Sequence, residues 1–280
     1  MATAVQTFGS TLRWWRTNRR YSQLQLAIEA EVSSRHISFL ETGRAKPSRE
    51  MVVHLAIALD LSLRDRNALL DAAGYAPVYP HSALDAPEMD DVRRVLGQIL
   101  AAHSPNPAVV VDRRGELIDA NTAAFALIGA TVAPDSAALT PSVNINRLAL
   151  HPEGIKPRTA DWELGAANVL QRLEREQAHR PADEQLEALL AEMLSYPGVE
   201  ELRRHAALPT GADLLVPLEV NTFDGATIRL VSTVATIGAP YDVTLDELRL
   251  ETFFPSDNAT RDVLARWQPD GEAGGAGPTG

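Results

Sequence analysis

The first 75 residues carry apolar side chains at helical spacing almost throughout, in five short blocks separated by polar breaks. In the second block, Leu24, Ala27 and Ile28 recur at the period of one helix face and are expected to be buried. Serines precede four of the blocks, where a hydroxyl can accept a hydrogen bond from the free N–H groups of a helix N-terminus. The pattern therefore predicts an all-α unit of five helices, at residues 8–19, 23–30, 34–42, 49–59 and 62–74.

Beyond a proline-rich stretch, the pattern changes to that of a mixed α+β domain with an antiparallel sheet. Short alternating runs predict strands, and an Asp-Gly pair at 224–225 predicts a hairpin between two of them. Pro217 places the first strand of that hairpin at an edge or a bulge. Helices are predicted at 88–103, 121–128, 161–180 and 182–196, and strands at 107–112, 116–120, 214–221, 227–237 and 244–254.

These patterns divide the chain into four segments. Residues 1–76 form the helical domain, and residues 77–87 are the linker, because they combine prolines with little periodicity. Residues 88–268 form the α+β domain. The glycine-rich segment 269–280 is expected to be a disordered tail.

Composition limits the class of protein. The chain has 280 residues and no cysteine, so two domains are expected and a disulfide framework or a cysteine-ligated metal site is excluded. No apolar run approaches the roughly 18 residues that a membrane span needs. The N-terminus lacks the basic and then apolar pattern of a signal peptide. We therefore expect a cytoplasmic protein without membrane insertion.

Charge is distributed unevenly between the two parts of the chain. Residues 1–80 carry a net charge of +3, whereas residues 81–280 carry −14. A polyanionic partner is therefore expected to bind the helical domain, because the acidic remainder would repel it.

The sequence gives little support to an enzyme. It contains no Gly-x-Ser-x-Gly elbow, no Walker A loop and no Gly-x-Gly-x-x-Gly motif, and its histidines have no metal-ligand spacing. We expect no catalytic residue and no metal site. Non-covalent haem or flavin stays open on composition alone, but the expected ligand is an organic effector rather than a cofactor.

The segment 22–51, SQLQLAIEAEVSSRHISFLETGRAKPSREM, resembles the helix-turn-helix of XRE (Cro/C1-type) regulators, and the resemblance extends over about residues 8–70. Small Ala27 allows two helices to cross closely, while Ile37 and Leu40 anchor the second helix. Glu31 departs from the pattern, because the family usually has glycine at this turn. If its φ is positive, glutamate costs on the order of 1 kcal/mol relative to glycine.

The resemblance implies that the exposed face of the third helix enters the DNA major groove. It assigns base reading to Ser34, Arg35, His36, Ser38 and Phe39 and phosphate contacts to Gln23, Arg44 and Lys46. Phe39 could instead belong to the core, and the whole domain could be a protein-interaction module. One such domain reads one half-site, so a homodimer on a palindromic operator in double-stranded DNA is expected.

The run PAVVVDRRGELIDANTAAFALIG, from Pro107, resembles the opening of a PAS domain. NINRLALHPEG (144–154), Trp162 and STVATIGAPYDVTLDELRLETFFPSD (232–257) resemble the MmyB-like regulators, so that the resemblance extends over residues 8 to about 267. It implies a PAS-like α+β domain with an apolar cavity that binds a small hydrophobic, fatty-acid-like effector.

Candidate lining residues of that cavity are apolar, with two polar side chains as anchors for a carboxylate. They are Phe125, Leu148, Trp162, Leu230 and Val234, with Arg147 and His151 as anchors. Each aliphatic residue could equally be ordinary core, and Arg147 could form a surface salt bridge.

Together these observations predict a bacterial, nucleoid-associated transcriptional regulator, expected to be a repressor, controlled by a hydrophobic effector. The alternative is a DNA-tethered scaffold whose PAS-like domain binds a protein partner. A closed apolar cavity would favour the regulator, and an exposed apolar patch the scaffold.

Overall fold

The computed structural model describes residues 7–180, 183–204, 218–238 and 240–267. The chain divides into two compact units, and the division does not follow chain order. The first unit is Met1–Met89 together with Ile237–Glu247, and the second is Asp90–Thr236 with Leu248–Gly280. Residues 77–87 are therefore counted with the first unit, and residues 269–280 lie outside the described part of the chain.

The first unit contains the five expected helices, each ending within two residues of its predicted bounds. They are α1 (Phe8–Asn18), α2 (Gln23–Glu29), α3 (Ser34–Glu41), α4 (Arg49–Ala58) and α5 (Leu63–Ala72). The four expected serine caps are present at Ser22, Ser33, Ser48 and Ser62, and each hydroxyl accepts a hydrogen bond from the third helical N–H. Local hydrogen bonding thus starts these helices where the sequence indicates.

The core of this unit is built from one apolar face of each helix. Leu26, Ala27, Ile37 and Leu40 are almost fully buried at the crossing of α2 and α3. The prediction that Leu24 and Ile28 of α2 are buried is wrong, because their side chains are 61% and 66% exposed. A helix of seven residues has two apolar faces here, and only the face that carries Leu26 and Ala27 meets α3.

Close approach of α1 to α3 depends on a glycine. A Cβ atom at Gly9 would lie 2.6 Å from the carbonyl oxygen of Glu41 and 2.7 Å from that of Leu40. Real Cβ atoms do not approach a backbone oxygen so closely. Gly9 therefore allows the N-terminal turn of α1 to pack directly on the end of α3.

The second unit is built around a five-stranded antiparallel sheet in the order β2-β1-β5-β4-β3. The predicted α+β class is confirmed. The strands are β1 (Ala108–Val111), β2 (Leu117–Ala120), β3 (Leu218–Asn221), β4 (Thr227–Thr236) and β5 (Arg249–Pro255). β3 lies at the sheet edge and pairs with β4 across the predicted Asp224-Gly225 turn, whereas Pro217 lies outside the described residues.

Helices precede, cover and follow the sheet. They are α6 (Asp90–Ala102), α7 (Thr122–Thr131), α8 (Ile145–Leu150), α9 (Trp162–His179), α10 (Glu184–Ser195), α11 (Val199–Arg204) and α13 (Asn258–Arg266). Asn121 caps α7 as expected, accepting a hydrogen bond from the backbone N–H of Ala124 at 3.0 Å. Helices α8, α11 and α13 are not predicted by the sequence pattern.

The predicted strand 244–254 is wrong in its first half. Residues Val243–Glu247 form a short helix, α12, and β5 begins at Arg249. The alternating apolar pattern of this stretch suits a strand, but Asp242 overrides it by accepting a hydrogen bond from the N–H of Thr244 at 2.7 Å. Such a side-chain bond competes with sheet pairing and starts a helical turn instead.

Candidate nucleic-acid interface and ligand cavity

The turn between α2 and α3 is held by backbone geometry. Glu31 adopts a positive φ of 47°, the strained conformation considered for this position. The N–H of Val32 donates to the carbonyl of Ala27 at 2.9 Å, which closes the end of α2. The Ser33 hydroxyl then accepts the N–H of His36 at 3.1 Å and starts α3.

The N-terminal half of α3 presents polar side chains to solvent. Ser34 and Arg35 are exposed, and His36, Ser38 and Phe39 are half-buried, while Ile37 and Leu40 point into the core. The five predicted base-reading residues therefore lie on the outer surface of one short helix.

Phe39 organises the arginines on this surface. The guanidinium of Arg35 lies 5.1 Å from the centre of the Phe39 ring, and that of Arg44 lies 5.9 Å from it. Cation–π contacts of this kind restrict the rotamers of long side chains. The Phe39 ring thus contacts two guanidinium groups, that of Arg35 on α3 and that of Arg44 just after the end of α3.

Of the predicted phosphate contacts, Arg44 and Lys46 are exposed, but Gln23 is engaged within the unit. Its Nε2 donates to Oε2 of Glu41 at 2.8 Å. Glu41 also receives two hydrogen bonds from Arg16, at 2.5 and 3.1 Å. This buried triad joins α1 and α2 to the C-terminal end of α3.

The second unit contains a cavity of about 360 Å³ between the sheet and α9. Its apolar walls come from Val111, Ile145, Leu173 and Val234. Its basic lining residues are Arg113, Arg172, Arg175 and Arg249, and its acidic ones are Asp112, Glu176 and Glu251. The cavity thus combines an aliphatic surface with guanidinium groups, of which Arg113 pairs with Asp183 and Arg172 with Glu251.

Glu251 is a buried charge in the cavity lining. It is 9% exposed, and burial raises the pKa of its carboxyl group, an effect that Arg172 opposes. Nη1 of Arg172 lies 3.7 Å from Oε2 of Glu251. The contact of that oxygen with Arg172 is thus an ion pair rather than a close hydrogen bond.

Gly115 closes one side of the cavity. Its φ is +83°, and a Cβ atom there would collide with the side-chain amide of Asn146. Asp112 lies three residues before Gly115. Burial raises the pKa of its carboxyl group, and the hydrogen bonds that it accepts from the backbone N–H groups of Glu116 and Arg114 oppose this rise. Glycine is therefore required at this turn for both conformation and space.

The ligand residues expected from the sequence are dispersed in the structure. Val234 lines the cavity, whereas Leu148, Trp162 and Leu230 are buried in three separate apolar clusters. Phe125 is 55% exposed.

The two expected anchors have partners in the protein. Arg147 donates to both carboxylate oxygens of Glu192, at 2.7 and 3.1 Å, which lowers the pKa of Glu192. His151 packs edge-on against the ring of Tyr196 at 4.8 Å. Burial raises the pKa of Tyr196 to about 12, and its hydroxyl donates to Glu192. These side chains form one polar cluster apart from the cavity lining.

Sequence reasoning missed the charged lining of the cavity. Arg172 and Arg175 are three residues apart, on one face of α9, and Glu251 interrupts an apolar strand. These two signals are present in the sequence, but neither indicates that the residues meet across a cavity.

Comparisons with known protein families match the helical domain and the α+β domain separately. Residues 7–69 match a family model described as a helix-turn-helix domain. Residues 92–266, more than half of the chain, match the model of the MmyB-like transcription regulator ligand binding domain. The chain belongs to the MmyB-like family. This MmyB-like protein is thus a DNA-binding transcription regulator with a ligand-binding domain, and neither family model describes an enzyme.

A search of curated proteins found no significant match. Among solved structures, the MmyB-like chain is similar to one titled "Structure of an RNA-binding Light-Oxygen-Voltage Receptor", at 15% identity and a TM-score of 0.26. The match covers 92% of this chain and 61% of that one.

Two searches of the described residues found nothing. No helix there is long and apolar enough to cross a membrane. No group of three or more metal-ligating side chains was found among the same residues.

Proposed function

We propose that the protein is a sequence-specific repressor that binds a palindromic operator as a homodimer and is controlled by a fatty-acid-like effector. The observation that carries the DNA-binding part is the outer surface of α3, where Ser34 and Arg35 are exposed and Phe39 supports two arginines. An arginine held in this way is suited to bidentate contact with guanine O6 and N7.

The cavity of the second unit supports the effector part of the proposal. A volume of about 360 Å³ falls in the range of small-molecule pockets. Val111, Ile145, Leu173 and Val234 suit an alkyl chain, and the guanidinium groups suit a carboxylate. An amphipathic acid matches both properties.

Selection of genomic DNA fragments at about 0.15 M salt, where phosphate contacts alone bind weakly, tests the first part. We expect a palindromic site. Arg35→Ala should cost about 1–3 kcal/mol on that site and relax its base preference, whereas Lys46→Ala should weaken all sequences alike and reduce the salt slope by about 1.

Arg261→Ala, which removes an exposed charge from α13 in the second unit, is the matched control and should leave DNA binding unchanged. Equal losses on operator and random DNA for Arg35→Ala would contradict its reading role.

Titration with sodium dodecanoate tests the second part, with 1-dodecanol as the control that lacks the carboxylate. Coupling of about 1–3 kcal/mol would lower operator affinity about 5–150-fold. Val234→Trp, which places a larger side chain at a half-exposed position of the cavity lining, should weaken the response. An operator complex indifferent to dodecanoate would contradict this effector class, and capture of a protein partner instead would favour the scaffold function.

A further inference from the structure

The connection between β4 and β5 is longer than two neighbouring antiparallel strands need. Thr236 and Arg249 are direct partners in the sheet, so a hairpin loop of about 2–5 residues would join these strands. Instead the chain leaves the sheet at residue 237, forms α12 and returns at residue 248. Pairing of β4 with β5 does not itself require this additional helix.

This connection belongs to the helical unit. Residues Ile237–Glu247 are grouped with α1–α5, although both flanking strands are central in the sheet of the second unit. We name Ile237–Glu247 the insert.

The insert is bonded to the N-terminus of α5. Asp246 Oδ2 accepts the N–H of Leu63 at 3.0 Å, next to the positive end of the helix dipole. Arg64 donates to both carboxylate oxygens of Glu247, at 2.6 and 2.9 Å. Bidentate pairing fixes direction as well as distance, so α12 and α5 are joined as one piece.

A second set of bonds ties the insert to residues 80–82. The N–H of Val243 donates to the carbonyl of Pro80 at 2.8 Å, and the Thr244 hydroxyl donates to the carbonyl of Ser82 at 2.7 Å. Asp242 accepts the N–H of Ser82 at 3.1 Å. Asp242, Val243 and Glu247 are all less than 9% exposed. The part of the insert from Asp242 to Glu247 is therefore packed into the helical unit.

The strands on both sides of the insert line the cavity. Val234 on β4 lies three residues before the insert, and Arg249 and Glu251 on β5 follow it within four residues. A molecule in the cavity would contact these three side chains. Any shift of the two strand ends is passed through peptide bonds into the insert.

We infer that the insert is the element by which cavity occupancy controls the DNA-binding helices. Displacement of β4 and β5 moves α12, and the bonds of Asp246 and Glu247 carry that movement to α5. Helix α5 packs on α1, and α1 packs on the reading helix α3. This inference rests on the proposed function, because it assigns a route of regulation to the same cavity.

The experiment is a double-mutant comparison that needs no identified effector. Val234→Trp narrows the cavity with a larger side chain, and Arg64→Ala/Asp246→Ala removes the bonds between the insert and α5. Arg229→Ala, which breaks two ion pairs elsewhere on β4, with Glu219 and Asp257, is the control for the uncoupling variant. Hydrogen exchange of the α5 amides and operator affinity are measured in every combination.

We expect Val234→Trp to change α5 exchange and operator affinity at least fivefold in the otherwise native chain and in the Arg229→Ala background. In the uncoupled chain the same substitution should change both quantities by much less, because only the bonds of the insert to residues 80–82 are left. Unchanged α5 exchange on narrowing the cavity, or an equal change in the uncoupled chain, would overturn the inference.

Two further outcomes are separable. If Val234→Trp removes amide protection throughout the second unit, Val234→Phe replaces it and the same criteria apply. If no variant, including the native chain, binds a specific DNA site, the proposed function fails. The exchange comparison still decides whether the insert couples the cavity to α5.

Discussion

The triad of Arg16, Glu41 and Gln23 provides a sharp test of how the reading helix is held. The side chains of Arg16 and Glu41 are only 10% and 3% exposed, and two hydrogen bonds join them. Arg16→Met removes the cation and leaves the Glu41 carboxylate buried with the single bond from Gln23. Breaking a buried pair in this way costs about 3–5 kcal/mol.

That loss is large compared with the stability of a small domain, which is about 5–15 kcal/mol in total. At about 1.4 kcal/mol for each factor of ten, the open population of the helical unit should rise roughly 100- to 4,000-fold. Replacing both partners, as Arg16→Met/Glu41→Leu, should recover most of the loss because no uncompensated charge stays buried.

Hydrogen exchange of the α1 and α3 amides at neutral pH measures this quantity directly, and amides of β1 and β5 serve as the internal reference. We expect fast exchange in the single variant and near-native exchange in the double variant. A single-variant loss below about 1 kcal/mol, or a double variant as unstable as the single one, would refute the reasoning.

Three further predictions concern the second unit. Gly115→Ala should lower the free energy of unfolding of this unit by more than about 1 kcal/mol, seen as a lower thermal midpoint, because φ is +83° and the new Cβ atom would collide with the Asn146 amide. Gly129→Ala in α7, where a Cβ atom meets nothing within 4 Å, should be neutral or stabilising. Glu251→Gln should stabilise the unit at pH 7 but not at pH 4, because burial raises the pKa of this carboxyl group and protonation removes the cost of burying its charge. Urea unfolding measures the effect, and equal effects of the substitution at both pH values would contradict the prediction. Glu192 should behave in the opposite sense, because pairing with Arg147 lowers its pKa: its contribution to stability is present above the ordinary pKa of 4.5 and is lost as the pH falls below that value. Glu192→Gln should therefore reduce the loss of stability on acidification, and an unchanged acid limb of the stability–pH curve would refute the role of the Arg147 pair.

The sequence by itself determined the features that arise within a few residues. The serine caps, the five helices of the first unit, the Asp224-Gly225 hairpin and the cap at Asn121 all depend on hydrogen bonds between near neighbours. Such signals are readable because both partners lie in one short stretch of chain. The outer surface of α3 follows for the same reason, since helical spacing places Ile37 and Leu40 inward.

Only the tertiary structure decided the features that join distant segments. The exposure of Leu24 and Ile28 depends on which face of α2 meets α3. The cavity brings together residues from β1, α8, α9, β4 and β5. The insert pairs Arg64 with Glu247 across 183 positions of sequence, and no periodicity encodes such a pair. Long-range contacts of this kind are selected by packing of the whole chain rather than by local propensity.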